Sequence, residues 1–331
     1  MSNQLELAQQ QIDPKPDILA YLSMPVAVFL LSLAAIFIKL SEKEIGSNAT
    51  IFNRFWIGAV AFGLWNSIQA SRYKLSADFL IQNEAYTIRD IIIFVVLAII
   101  NIGSLLSWAW SITQTSIANA NLLHNLNPLF ATLGGWLFLG HRFGKKFLIS
   151  LVLALGGTII IGIKDWQVSA DNFIGDGVAL VSAVFYAASF VLRERLRTKF
   201  KTTNILLWSC TLGSLFTLPI VIITEDRVFP SSFSGWLAVI CLAILCQVVG
   251  QGLVTYNLKK FSAGFVSLFL LLEPIIAAIL AWAIFSEELS LINWLAFLVI
   301  CAGIYLAKSE KPFVFTPTQL SDSKAEKANV M

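Results

Sequence analysis

Charge is what this 331-residue chain has least of: Asp, Glu, Lys and Arg make up 13% of it, where a soluble globular chain carries about 25%. Apolar residues make up 57%, and the mean hydropathy is +0.77. A soluble fold has no means of covering that much apolar surface. Cysteine and histidine are also scarce, with four and two residues. Cys210, Cys241, Cys246 and Cys301 sit inside apolar runs without a C-x-x-C spacing, which argues for small buried residues rather than redox or metal chemistry. The histidines, His124 and His141, form no H-E-x-x-H or paired-ligand spacing, so no metal site is expected. There is no G-x-x-x-x-G-K-[ST] loop for nucleotide hydrolysis, no nucleic-acid-binding motif, and no stretch long enough for a separate soluble domain. No cofactor and no enzymatic activity are expected.

The N-terminal 17 residues carry Glu6, Asp13 and Asp17 against Lys15, unlike the basic start of a secretory signal or the acid-poor start of a transit peptide. The tail after Lys308 is polar and passes through Pro312, which disfavours helix there. What lies between is apolar in long runs. A bilayer core takes about 20 apolar residues as helix, and ten candidate spans result: 18–38, 51–68, 91–110, 116–139, 147–163, 178–192, 205–223, 236–253, 262–285 and 292–306. Runs this continuous exclude barrel strands. With a cytoplasmic N-terminus, eighteen Lys and Arg residues fall inside, four (Lys39, Lys43, Lys164, Arg227) fall outside, and Arg54 sits within a span. The positive-inside rule therefore places both termini in the cytoplasm, the plasma (inner) membrane being the expected site.

The chain also repeats itself. An offset of 146 residues carries the fourth and fifth spans onto the ninth and tenth without a gap. Ser116 meets Ser262, Pro128 meets Pro274, Trp136 meets Trp282, and Gly157 meets Gly303. Five spans per half is an odd number, so the halves must run in opposite directions through the membrane. The expected fold is an all-α membrane protein of ten transmembrane helices in two inverted five-helix repeats, residues 18–163 and 175–308, between cytoplasmic tails 1–17 and 309–331. Inverted repeats suit alternating access around a site near the bilayer midplane.

Several phrases in order along the chain resemble the EamA-like branch of the drug/metabolite transporter superfamily. They are Ala34-Ala35-Ile36-Phe37-Ile38-Lys39, Asn53-Arg54-Phe55, Ser116-Ile117-Ala118-Asn119-Ala120 through Asn127-Pro128, and Gly175-Asp176. In the second half they are Phe261-Ser262-Ala263 through Leu272-Glu273-Pro274, and Ser286-Glu287-Glu288-Leu289. The resemblance spans roughly residues 20–308 and implies ten helices in two repeats and export or exchange of small metabolites. One departure is His141, which stands where the family carries an acid equivalent to Glu287.

Glu273 is the first candidate for chemistry. A charge at mid-bilayer costs roughly 3 kcal/mol or more, so it should face a cavity or a partner. It reads as a proton-binding carboxylate, with protons as coupling ion, or as a counter-charge for a cationic substrate; equally it reads as a neutral brace for the helix that Pro274 interrupts. In the fourth span Asn121, His124, Asn125, Pro128, Thr132 and Gly135 share one helical face, opposite leucines, which points to a polar path or to interhelical hydrogen bonds. Shorter stripes come from Asn101, Ser104, Trp108 and Ser111, from Ser182, Tyr186 and Ser189, and from Gln247, Gln251 and Thr255. Such a lining, with Glu273 its one acid, suits zwitterionic or neutral metabolites, with rings stacking on Trp108 or Tyr186. Lys39 and Arg54 are expected at the outer mouth, snorkelling toward headgroups, and Arg193, Arg195, Arg197, Lys199 and Lys201 as a topology anchor. The leading expectation is a secondary transporter whose partners are a small-molecule substrate and the lipid bilayer. Its rivals are an intramembrane enzyme and a channel or receptor-like protein. Substrate and oligomeric state are open.

Overall fold

The computed structural model describes residues 18–74, 86–163, 173–285 and 290–308, all in helices and short connections. The two tails, the turn carrying Glu287, and Lys15 and Lys164 lie outside the described residues. In the first half, α1 (Ile18–Ser32) and α2 (Ala34–Ser41) are followed by α3 (Ser47–Lys74), α4 (Ile88–Gln114), α5 (Ile117–His124), α6 (Asn127–Leu139) and α7 (Lys145–Ile163). In the second, α8 (Phe173–Arg197) and α9 (Thr202–Thr224) precede a rod made of α10 (Phe233–Cys241), a π-helical segment (Leu242–Gly250) and α11 (Gln251–Asn257). Then come α12 (Ala263–Phe269), α13 (Leu272–Phe285) and α14 (Leu291–Lys308). Among the described residues, six helical stretches are long and apolar enough to cross a membrane: Leu22–Ser41, Ile88–Gln114, Phe173–Arg197, Thr202–Thr224, Phe233–Asn257 and Ala263–Leu280. Of the other expected spans, α3 is diluted by polar residues such as Asn53, Arg54, Asn66 and Gln69, and the fourth is divided between α5 and α6. Leu291–Ala307 is apolar but shorter.

The division of the fourth span follows from Pro128. Proline has no N–H to donate to the carbonyl four residues back, and the helix stops at His124 and restarts at Asn127. The ninth stretch stops at Phe269 and restarts at Leu272, just ahead of Pro274. Each broken helix begins on a serine cap: the Ser116 hydroxyl accepts from the Asn119 N–H at 3.1 Å and the Ser262 hydroxyl from the Phe265 N–H at 3.3 Å. These two caps are 146 residues apart, as are their donors.

Packing follows the same repeat. Equivalent helices pair with each other, α7 with α14, and α3 with α9. Helix α4 packs on α8, and its counterpart rod packs on α1. The α7–α14 seam shows the relation atom by atom. A Cβ on Gly157 would lie 2.6 Å from Ile300 Cγ1 and 3.0 Å from the Ala296 carbonyl oxygen. A Cβ on Gly303 would lie 2.8 Å from the Ala154 nitrogen and 2.9 Å from the Ser150 carbonyl oxygen. Ser150 and Ala154 are the repeat partners of Ala296 and Ile300, so each glycine seats the other helix in the same way. Small residues permit this approach where no aqueous hydrophobic effect drives helices together. Large apolar side chains such as Leu64, Ile99, Phe138, Val152, Ile223 and Leu298 stand exposed on the outside, as a lipid-facing surface requires.

Candidate substrate site

Polar side chains from both halves meet where the broken helices, α8 and the α10–α11 rod face one another. The π segment supplies Gln247, and the first turn of α11 supplies Gln251. Such wide turns recur at functional sites because they displace the side-chain register. Gln247 accepts a hydrogen bond from Arg54 Nε at 2.8 Å. Gln251 accepts from Arg193 at 2.7 Å, and the other terminal nitrogen of Arg193 donates to Asn101 Oδ1 at 2.8 Å. Arg193 is 5% exposed, its Nε is sealed without a partner, and its guanidinium lies 5.7 Å from the Phe190 ring centre.

A wall of rings adjoins this charged pair. Tyr186 packs edge-on to Phe190 at 4.9 Å and lies 5.1 Å from the His124 ring, which in turn is 6.4 Å from Trp108. His124 Nδ1 shares a hydrogen bond of 2.8 Å with the Ser182 hydroxyl. Trp108 Nε1 donates to Asn121 Oδ1 at 3.0 Å. Glu273 sits in the first turn of α13, half-buried and near Arg54 and Tyr186. Among the described residues no side chain lies within hydrogen-bond or ion-pair distance of its carboxylate. The backbone beside it is tied down, since Ser32 Oγ donates to the Glu273 carbonyl at 3.1 Å.

The structure thus brings together Asn101, Trp108, Asn121, His124, Tyr186, Gln247, Gln251 and Glu273, with Asn125 half-buried at the break beside them. An apolar cleft of about 210 Å³ lined by residues including Phe265, Phe269, Leu272 and Tyr305 is separate from this cluster and offers no charge to orient a ligand. Among the described residues no group of His, Cys, Asp and Glu could hold a metal ion.

A family model described as the EamA-like transporter family matches residues 18–163 and 173–308. The chain belongs to the EamA-like transporter family. An uncharacterized transporter of Archaeoglobus fulgidus is 22% identical over 88% of this chain and 98% of its own length. The pseudopaline exporter CntI of Pseudomonas aeruginosa is 25% identical over 62% of this chain and 72% of its own. A crystal structure superposes with a TM-score of 0.70 at 18% identity, covering 87% of this chain and 96% of that one, a likeness of fold. This EamA-like protein is therefore an integral, multi-pass membrane protein of a transporter family.

Four expectations from sequence need correction. Arg54 does not snorkel outward but turns to Gln247; Lys39 alone of that pair is exposed. Arg193 and Arg197 do not anchor topology from the surface. Both are buried, Arg197 donating to the Thr255 carbonyl at 3.1 Å and to the Phe200 carbonyl at 2.6 Å. Only Arg195 and Lys201 of that run are exposed. The fourth-span stripe does not continue as one polar path, because the break at Asn125–Leu126 separates its ends. Thr132 and Gly135 are buried, Thr132 against Gly264 of α12 and Gly135 against His141. Ser104, also buried, donates to the Ser182 carbonyl at 2.9 Å and clamps α4 to α8 rather than lining the site.

His141 has a role that the sequence did not suggest. Its Nε2 lies 3.1 Å from Glu194 Oε1, and Glu194 Oε2 accepts the Ala263 N–H at 2.6 Å. One buried carboxylate thereby joins the end of α6, helix α8 and the start of α12.

Proposed function

We propose that this protein is a secondary transporter, an exporter or exchanger, that moves small organic metabolites across the plasma (inner) membrane by alternating access. In this reading the helices group into ten spans as two inverted five-helix repeats, and the basic residues set both termini in the cytoplasm. The observation that carries the proposal is the convergence of both repeats on one polar cluster. Asn101, Trp108, Asn121, His124 and Arg54 come from the first half; Tyr186, Arg193, Gln247, Gln251 and Glu273 come from the second. The cluster lies beside two interrupted helices, the places where transporter sites tend to be built. A site shared between halves changes shape when one half rocks against the other.

Glu273 is assigned to line this site and to couple transport to protons. Glu273 is half-buried and its carboxylate has no hydrogen-bonded or ion-paired partner among the described residues, which supports this over a bracing role. The test is flux of a labelled metabolite library into proteoliposomes with and without a pH gradient. The parent should move at least one compound faster with the gradient. Glu273→Gln, at matched protein amounts, should insert and fold yet lose the response. A Glu273→Gln variant with the pH response intact would reject the coupling role, and no flux of any compound would reject transport.

A further inference from the structure

The transport reading leaves the substrate's charge open, and the arginines speak to it. We propose that the site takes an organic anion, bound through a carboxylate to the guanidinium of Arg54 and steadied by Arg193; the proposal deepens the transport reading and rests on it. Arg54 extends from α3 of the first half and Arg193 from α8 of the second. Their partners Gln247 and Gln251 are four residues apart, so the two cations face the same stretch of the rod. Against two guanidiniums the cluster holds one carboxylate, Glu273. The other nearby acid, Glu194, is occupied by His141 and the Ala263 N–H. Neither arginine forms an ion pair with a described carboxylate.

The cluster is thus a net cation within the membrane, and protonating Glu273 or His124 would only make it more positive. Desolvated charge there calls for a partner. The protein satisfies these arginines with neutral amides, Gln247, Gln251 and Asn101, which orient a guanidinium without neutralising it. Arg54 spends only Nε on Gln247 among the described residues, which leaves its terminal N–H fork for a carboxylate, whose two oxygens match that fork. Because the anion would join residues of both halves, its arrival would bear on how the halves pack. The expected lining for neutral or zwitterionic compounds gives way here to one that favours negative charge.

The test is equilibrium binding to the purified full-length protein in detergent, by titration calorimetry. The probes are benzoate, succinate and glutarate, each beside its amide (benzamide, succinamide, glutaramide), together with benzylammonium and phenyl phosphate. At least one acid should bind tenfold or more tightly than its amide, and Arg54→Gln should abolish that gap. Arg54→Lys, which keeps the charge but not the fork, should retain part of it. Acids and amides that bind alike across the set, a benzylammonium preference, or phenyl phosphate binding more tightly than every acid would each overturn the proposal. The comparison of acids with amides on the parent protein holds whether or not a variant folds. Binding is read without a gradient, so an intact acid preference with no liposome flux would reject transport and leave the anion site standing; flux without acid preference would do the reverse.

Discussion

The two broken helices begin alike, on Ser116 and Ser262, and both restart just ahead of a proline, Pro128 and Pro274. The positions before those prolines, Asn127 and Glu273, are repeat partners with different tasks. In the first helix Pro128 leaves the His124 carbonyl without its usual donor, and the Asn127 side-chain amide supplies one at 3.1 Å. In the second, the Leu270 carbonyl is satisfied by the Glu273 backbone N–H at 2.9 Å, a tighter turn that asks nothing of the side chain. The first repeat spends its side chain on mending the backbone; the second keeps a carboxylate free. Symmetric scaffold and asymmetric chemistry are therefore separable, and the separation can be tested.

The first expected effect concerns the scaffold. Gly157→Ala and Gly303→Ala each force a methyl into the backbone of the opposing helix, so each should cost about 1–3 kcal/mol of stability, and by similar amounts. Gly156→Ala, whose Cβ would meet nothing within 4 Å, should leave the melting temperature of the detergent-solubilised protein nearly unchanged. Unequal losses at Gly157 and Gly303 would break the symmetry argument.

A second comparison sets one end of the molecule against the other. Glu194→Ala strips a buried acceptor from both His141 and the Ala263 N–H, and should destabilise the protein by about 2–3 kcal/mol. At the opposite end Glu44 accepts from the Ser231 and Ser232 backbone N–H groups at 3.1 and 3.0 Å and from the Ser232 hydroxyl. That hydroxyl bond, with the backbone bonds, holds the Glu44 carboxyl below its ordinary value of 4.5. A folded-state value below the unfolded one stabilises above the unfolded value and fades as pH falls through the folded one. Glu44 therefore contributes at neutral pH and loses that contribution only below about pH 4.5. Because it is solvated, Glu44→Gln should shift the melting temperature marginally at pH 7 and not at all once the carboxyl is protonated, as melts across a pH series would show.

How much of this was legible in sequence differs by residue. The breaks were readable because proline has no N–H whatever its surroundings. Asn101, His124, Tyr186, Gln247 and Gln251 were readable as polar residues at helical spacing on apolar helices. Arg193 was not, because it opens a basic run that resembles an interfacial anchor. The signal was present in the phase: Ser182, Tyr186 and Ser189 continue four residues on to Arg193 and again to Arg197, and both arginines are buried. Arg54 was misplaced because a lone cation near a helix end reads as snorkelling until its acceptor is known, and Gln247 lies 193 residues away on a segment whose π turn sequence spacing does not reveal. Thr132 was misread because a continuous helix was assumed across the break.

If the two halves rock about the shared cluster, distances between spin labels on the full-length protein in nanodiscs must change in opposite senses at its two ends. One pair, Ser47 and Thr224, spans the halves at the Glu44 end; the other, Arg142 and Lys259, spans them at the Glu194 end, and all four positions are exposed. Alternating access predicts two populations in which one pair is long when the other is short, with Glu273→Gln or a bound acid changing their proportions. A single fixed distance for each pair under every condition, or both pairs lengthening together, would contradict it.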